Sequence, residues 1–126
     1  MNLLLDTHAL IWALSAPKRL PGSVARAVAD PDNSVHISAV STWEIAIKSA
    51  LGKIKADLDE IAAGARETGF VELPVRIRDT IRLRSLPAHH RDPFDRMLIA
   101  QALEHGFTLV TRDPAFRPYP IATLWS

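Results

Sequence analysis

The sequence lacks cysteine, and this absence excludes a disulfide framework and a cysteine-based zinc site. No apolar run approaches the ~20 residues that a membrane-spanning helix needs. The opening residues, MNLLLD, lack the basic start and the small-residue cleavage site of a signal peptide. We therefore expect a cytoplasmic protein without a membrane segment.

The chain also lacks a strong charge of either sign, because its formal net charge is only +1. This near-neutral balance gives no global indication of nucleic-acid binding. Eleven of the fifteen basic residues are nevertheless arginine. Arginine forks match phosphate oxygens, but a GC-rich genome also produces arginine-rich proteins, so the composition leaves both explanations open.

What the chain does have is enough apolar material for a core. With 126 residues, 48% of them hydrophobic, residues 1–126 are expected to form a single domain. Short apolar runs that read as strands alternate with helical patterns, and the predicted strands cover residues 3–5, 35–38, 70–73, 107–110 and 121–124. This alternation predicts an α/β fold with a central parallel sheet covered by helices on both sides.

Two helix starts matter most for function. Asp92-Pro93 begins a helix that Gly106 stops, because aspartate accepts from free N–H groups, proline fits the first turn and glycine suits the end. Ser41 and Glu44 have the Ser-x-x-Glu spacing of a capping box, which predicts that a helix opens at Ser41. A further helix is expected over residues 74–86, with Val75, Ile77, Ile81 and Leu83 as its apolar positions.

Four acids occupy matching places in this pattern. Asp6 and Asp113 follow strands, whereas Glu44 and Asp95 lie in the first turns of predicted helices. If the strands are parallel, these carboxylates converge at one edge of the sheet and repel one another unless a cation is present. Mg²⁺ or Mn²⁺ suits such oxygen ligands and retains water for phosphate chemistry.

Each acid also has a purely structural interpretation. Glu44 can complete its capping box and pair with Lys48. Asp92 is better explained as a helix cap than as a ligand. Asp95 can interact favourably with the helix dipole, and Asp113 before Pro114 can start a turn. Asp6, placed by a strand of three leucines, is the hardest to explain structurally.

Neighbouring residues are candidates for supporting roles. The hydroxyls of Thr7 and Thr111 can hold a carboxylate or a metal-bound water, or can satisfy backbone groups. Arg96 and Arg112 can contact phosphate or merely balance the acids. The His89-His90 pair and His8 are better explained as solvated side chains than as metal ligands. Trp12 and Trp43 are expected to pack at helix starts, with a partner-binding groove as the alternative.

Together these segments resemble a known family. The segments are LLLDTH at residues 3–8, STWEI at 41–45 with Lys48, DPFDRMLIAQA at 92–102 and LVTRD at 109–113. They are similar to the PIN-domain family and, within it, to the VapC-type toxins of bacterial toxin–antitoxin pairs. The resemblance covers nearly the whole chain, and the third segment is the most specific.

The resemblance implies a PIN-like α/β/α sandwich and an endoribonuclease that depends on Mg²⁺ or Mn²⁺. It implies that Asp6, Glu44, Asp95 and Asp113 bind the metal and that Thr111 assists beside Asp113. It further implies cleavage of tRNA or other structured RNA, inhibition of translation and a homodimer. A VapB-type antitoxin would wrap the toxin with its C-terminal segment and send a basic residue into the acidic pocket.

Three alternatives compete with this interpretation. A phosphatase of the haloacid dehalogenase type needs Asp-x-Asp after the first strand, but His8 stands at the second position. A non-catalytic binding module would use the acids only as caps or to receive a basic peptide, and it would need no divalent ion. A PIN-type nuclease with a role in RNA processing or DNA repair would usually carry further domains.

Overall fold

The computed structural model describes residues 1–125 and contains a five-stranded sheet in which every paired strand is parallel. The strands are β1 (Asn2–Leu5), β2 (Ser34–Ser38), β3 (Val71–Leu73), β4 (Thr108–Val110) and β5 (Thr123–Leu124). Each strand expected from the apolar runs is present within a few residues of its predicted bounds. Helices connect β1 to β2, β2 to β3 and β3 to β4, as parallel pairing usually requires, whereas a loop with a short 3₁₀ turn connects β4 to β5.

Six α-helices lie in the described part of the chain: α1 (Thr7–Ser15), α2 (Gly22–Ala29), α3 (Ala39–Ala50), α4 (Leu58–Thr68), α5 (Ile77–Arg84) and α6 (Pro93–His105). The ends of α6 form as predicted. Asp92 caps the first turn, Pro93 occupies the first position, and Gly106 follows the last turn with a φ of 72°. That left-handed conformation strains any residue with a Cβ atom, so glycine is required there.

The strand order is β3-β2-β1-β4-β5, so the chain builds outward from β1 to one side and then returns to the other. The direction of winding therefore changes between β1 and β4, which pair directly from Leu3–Thr108 to Leu5–Val110. In open α/β sheets, the crevice beyond the strand ends at such a switch point is the usual ligand site. The segments that follow β1 and β4 carry Asp6 and Asp113.

The sheet is buried on both faces, which explains why β1 reads as an unbroken leucine run. Leu3 and Leu5 pack with α1, α2 and α4, whereas Leu4 packs with α6 on the opposite face. All three leucines are fully buried, and burial of each contributes about 1.5–3 kcal/mol. The three layers confirm the predicted α/β/α sandwich.

One local prediction is wrong. The helix after β2 does not open at Ser41: it begins at Ala39, and the cap is Ser38, whose Oγ accepts from the N–H of Val40 at 3.0 Å. Ser41 is therefore a buried residue inside α3. The helix expected over residues 74–86 is present as α5, and its apolar residues Ile77 and Ile81 are 80% and 53% exposed.

The two tryptophans expected to pack at helix starts differ in their surroundings. Trp12 is buried in α1, as predicted, whereas Trp43 is 58% exposed and makes a T-shaped contact with the Phe94 ring, with centroids 4.9 Å apart. Among the described residues, no helix combines the length and the apolar character needed to cross a bilayer.

Candidate active site at the carboxyl edge of the sheet

Asp6 is the residue that joins β1 to α1. It caps α1 by accepting a hydrogen bond from the N–H of Ala9 at 2.8 Å, and only 6% of its surface is exposed. Burial raises its pKa above the ordinary value, while hydrogen bonds from Thr111 and Ala9 act in the opposite direction. A buried carboxylate that is costly to ionise is well placed to receive a cation.

Glu44 reaches the same edge from the second turn of α3. Its Oε1 accepts a hydrogen bond from the hydroxyl of Thr7 at 2.5 Å, and its Oε2 pairs with the ammonium of Lys48. The expected pair with Lys48 is therefore confirmed, and the Thr7 hydroxyl holds a carboxylate. Because Glu44 is the sixth residue of α3 and not the third, it points across to α1 instead of completing a capping box.

Asp95 lies in the first turn of α6, and its neighbour Asp92 sets the orientation of that turn. Oδ1 of Asp92 accepts from the N–H groups of Phe94 and Asp95 at 2.8 and 3.1 Å. Asp92 is therefore a cap, as predicted. Its carboxylate, together with Glu44 and Asp6, also surrounds Asp95 with negative charge.

Burial, followed by the repulsion from neighbouring carboxylates, raises the pKa of Asp95 to about 7. The repelling groups, in order of effect, are Asp92, Glu44, Asp6 and Asp113. The four acids singled out in the sequence therefore act on one another in space. Without a cation, Asp95 is partly protonated near neutral pH.

Asp113 approaches from the segment after β4 and is more exposed than the other acids. Its Oδ1 accepts from the N–H of Ala115 at 2.9 Å and thereby starts the short 3₁₀ turn Pro114–Phe116. Its own N–H donates to the hydroxyl of Thr111 at 3.1 Å. Thr111 thus contacts both the backbone of Asp113 and the side chain of Asp6.

These side chains line one open cleft of about 430 Å³. The lining comprises Asp6, Thr7, His8, Glu44, Lys48, Asp92, Asp95, Arg112, Asp113, Pro114 and Phe116. Carboxylate oxygens predominate, and the one amine among these lining residues is already paired with Glu44. A hard divalent cation such as Mg²⁺ or Mn²⁺ fits this donor set and would relieve the repulsion that raises the pKa of Asp95.

His90 is a residue whose place in the site the sequence did not predict. It was expected to be solvated, but its side chain is only 13% exposed, and its Nε2 lies 3.0 Å from Oδ2 of Asp95. His90, Asp95 and Asp113 offer atoms that all lie within 4.8 Å of one another, a spacing compatible with a metal ion.

The hydrogen bond at the other ring nitrogen argues against ligation by His90. The N–H of Asp92 donates to Nδ1 at 3.1 Å, so Nδ1 carries no proton and the neutral ring holds its proton on Nε2. A protonated Nε2 cannot bind a metal. Within residues 1–125, this atom has no hydrogen-bond partner, because its approach to Asp95 is close but not aligned. His90 therefore directs a buried N–H group toward the carboxylate of Asp95.

Arg96, a suggested supporting residue, does not point at the acids. Its Nη1 donates to the carbonyl oxygens of Pro87 and His90 at 2.9 and 3.4 Å and lies 3.4 Å from the hydroxyl of Tyr119. The hydroxyl of Tyr119 accepts in turn from the N–H of His90 at 2.8 Å. Arg96 therefore supports the site indirectly, by fixing the loop that carries His90.

Comparison with known proteins gives an independent view of the chain. The PIN domain family model matches residues 3–121. A curated relative, Ribonuclease VapC22 of Mycobacterium tuberculosis (strain ATCC 25618 / H37Rv), is 30% identical over 134 aligned residues that cover 98% of both proteins. The similarity therefore extends over the whole fold and includes every segment that supplies an acid to the cleft.

Solved structures with the same fold include two VapBC structures. The crystal structure of VapBC2 from Rickettsia felis bound to a promoter DNA fragment matches with a TM-score of 0.73 and 17% identity, covering 100% of both chains. VapBC-1 from nontypeable Haemophilus influenzae matches with a TM-score of 0.64 and 18% identity, covering 98% of this chain and 97% of that one. At these identities, the matches show a shared three-dimensional arrangement.

Proposed function

Because the chain belongs to the PIN domain family, we propose that it is a divalent-metal-dependent endoribonuclease and the toxin of a toxin–antitoxin pair. The observation that carries the proposal is the convergence of four carboxylates at the switch point, where burial and their mutual repulsion raise the pKa of Asp95 to about 7. A relative that is 30% identical bears the name Ribonuclease VapC22, and this supports RNA as the substrate.

In the proposed enzyme, Asp6, Glu44, Asp95 and Asp113 hold Mg²⁺ or Mn²⁺. The bound ion supplies Lewis acidity toward a phosphodiester and lowers the pKa of a bound water. The protein's own groups keep the acids in place. Thr7 and Lys48 fix both oxygens of Glu44, and the Asp92 cap fixes the turn that carries Asp95. Such preorganisation means that little rearrangement is needed when substrate arrives.

The proposed partners follow from the same family relationship. Structural neighbours of this fold are VapBC complexes, so we propose a VapB-type antitoxin that covers the acidic cleft with a basic residue. We also propose a homodimer, a cytoplasmic location, and tRNA or another structured RNA as the substrate. The cleft suits both ligands, because a basic side chain and a divalent cation each neutralise clustered carboxylates.

The decisive experiment is to incubate the purified protein with total RNA, in Mg²⁺ and in EDTA. We expect defined fragments only with Mg²⁺, and we expect Asp95→Asn to lose cleavage while melting at a temperature no lower than the wild type. Asp59→Asn, which changes an exposed acid of α4, is the matched control and should cut normally. Equal cleavage by Asp95→Asn and the wild type would refute the metal-site assignment.

Toxicity is tested separately from chemistry. Induced expression of the wild-type chain in a bacterial host should arrest growth and protein synthesis, whereas Asp95→Asn at the same expression level should not. Unimpaired growth together with robust RNA cleavage in vitro would support the nuclease activity and refute the role as a toxin.

A further inference from the structure

Arg112 stands at the rim of the acidic cleft, yet its side chain pairs with an aromatic ring. Its guanidinium carbon lies 4.6 Å from the ring centroid of Trp12, and the guanidinium of Arg19 lies at the same distance from that ring. Stacking on tryptophan holds a guanidinium by cation–π attraction and leaves the N–H groups at its edge available. Trp12 is buried, so it provides a fixed support.

The hydrogen-bond donors of Arg112 are unused in the described structure. Across residues 1–125, the close contacts between basic side chains and carboxylates join Lys48 to Glu44, His90 to Asp95 and His105 to Asp79, and none involves an arginine. Asp113 is adjacent in sequence, but its carboxylate is occupied in part by the N–H of Ala115. Arg112 thus offers a planar set of donors beside the carboxylates without being neutralised by them.

Arg112 also lines a second cleft, of about 190 Å³, that lies next to the first. The two clefts share Arg112 and Asp113, and the second is otherwise lined by Thr111, Arg117, Thr123 and Trp125. Its two arginines are both exposed. In contrast to the acidic cleft, this one combines two positive charges with one negative charge and two hydroxyl groups.

We propose that this second cleft binds a backbone phosphate of the RNA, next to the phosphodiester held in the acidic cleft. The inference rests on the proposed nuclease function, since it concerns the same substrate. Guanidinium forks match phosphate oxygens in a bidentate manner, and the Thr123 hydroxyl adds a donor. The cleft resolves an electrostatic difficulty: an acidic site repels a polyanion, and a cationic neighbour compensates for that repulsion.

The test measures binding without cutting. Fluorescence anisotropy of a fluorescein-labelled RNA hairpin in EDTA gives Kd over a range of salt concentrations. We expect Arg112→Gln and Arg117→Gln each to weaken binding about fivefold to tenfold, and to reduce the slope of log K against log salt by about 1, the loss of one phosphate contact. Arg112→Lys keeps the charge but loses the fork, and its Kd should fall between those of the wild type and Arg112→Gln.

Arg82→Gln is the matched control, because Arg82 is an exposed arginine of α5 outside both clefts. It should leave Kd and the salt slope unchanged. If Arg112→Gln and Arg117→Gln behave like Arg82→Gln, the phosphate-binding cleft is refuted. Because binding is measured in EDTA, cleft variants that weaken binding would support the phosphate site even if Mg²⁺ failed to support RNA cleavage.

Discussion

Nε2 of His90 lies 3.0 Å from Oδ2 of Asp95, and the N–H of Asp92 occupies the other nitrogen of the imidazole ring. The ring is thereby held in the tautomer that carries its proton on Nε2. A neutral donor placed beside Asp95 can orient that carboxylate without competing for the metal.

His90→Ala should therefore reduce RNA cleavage by about 10- to 100-fold, as loss of a group that orients a metal ligand commonly does. His90→Gln, whose amide nitrogen can replace Nε2, should recover part of the rate. The Mg²⁺ concentration that gives half-maximal activity should change little in either variant. Steady-state cleavage at varied Mg²⁺ measures both effects, and a large rise in the Mg²⁺ requirement of both variants would instead identify His90 as a ligand.

The raised pKa of Asp95 predicts how stability depends on pH without metal. In the unfolded state, the aspartate has its ordinary pKa of 3.8, so it releases its proton at lower pH than the folded state does. Between pH values of about 4 and 7, the folded state therefore holds a proton that the unfolded state has released. Stability should therefore fall as pH rises through this window. A pKa that is about three units higher in the folded state corresponds to a loss of about 4 kcal/mol in the free energy of unfolding across this window. Since 20% of the side chain is exposed, we expect about 1–2 kcal/mol after solvent screening.

Urea unfolding in EDTA at pH 5 and pH 8 measures this difference. Asp95→Asn should flatten the dependence and should be the more stable protein at pH 8. A residual slope of the same sign should persist, because burial also raises the pKa of Asp6. Mg²⁺ should stabilise the wild type more at pH 8 than at pH 5, because protons and metal compete for the same oxygens. Equal stability at both pH values would contradict the electrostatic description of the cleft.

Lys48 is a cation that the fold itself places among the acids. Its ammonium pairs with Glu44, and this hydrogen bond is the main cause of its raised pKa. Lys48→Met should lower the stability of the metal-free protein by about 1–2 kcal/mol at pH 8, because the buried Glu44 loses its partner. Mg²⁺ should restore most of the loss. Thermal melts with and without Mg²⁺ measure both effects. Lys53→Met, at an exposed position after α3, is the control and should melt like the wild type in both conditions.

A second buried carboxylate, Asp79, holds the fold together away from the cleft. It is fully buried and accepts hydrogen bonds from the N–H of Arg76 at 2.9 Å and from Nε2 of Gln101 at 3.2 Å. It also lies 3.1 Å from Nε2 of His105. Gln101 continues this network by accepting from the hydroxyl of Ser38 at 2.6 Å. The network links β2, α5 and α6.

Asp79→Leu should therefore reduce the free energy of unfolding by about 3 kcal/mol, because the buried amide of Gln101 and the part-buried groups of Arg76 and His105 lose their acceptor. Cleavage per folded molecule should be unchanged, since Asp79 lines neither cleft. Asp59→Leu, at an exposed position, is the control and should stay within about 0.5 kcal/mol of the wild type. A loss smaller than about 1 kcal/mol for Asp79→Leu would show that the network contributes little.

Much of this architecture was predictable, because local patterns determine it. Strands buried on both faces read as apolar runs, and the Asp92-Pro93 start and Gly106 stop of α6 depend only on backbone chemistry. The meeting of Asp6 and Asp113 followed from the rule for parallel strands. The capping-box prediction failed because Ser38 serves as both the last residue of β2 and the helix cap, and spacing alone cannot show where a strand ends.

The remaining features depend on contacts between residues far apart in the chain. The position of His90 depends on Tyr119 and on Arg96, which fix the path of its loop. Arg112 meets Trp12 only because β4 pairs with β1. No local motif encodes such encounters, so the sequence marked both residues as polar or charged without indicating what they contact.

The dispersal of the acidic residues along the chain has a consequence for biosynthesis. A ribosome has already made β1, α3 and α6 before it reaches Asp113, the last carboxylate of the cleft. A nascent polypeptide shorter than this holds only part of the set, and β4, which brings Asp113 beside Asp6, must still emerge and pair. If the protein is the nuclease proposed, translation itself delays its activity, and the machinery that makes it is exposed to cleavage only after Asp113 has been added and β4 has paired with β1.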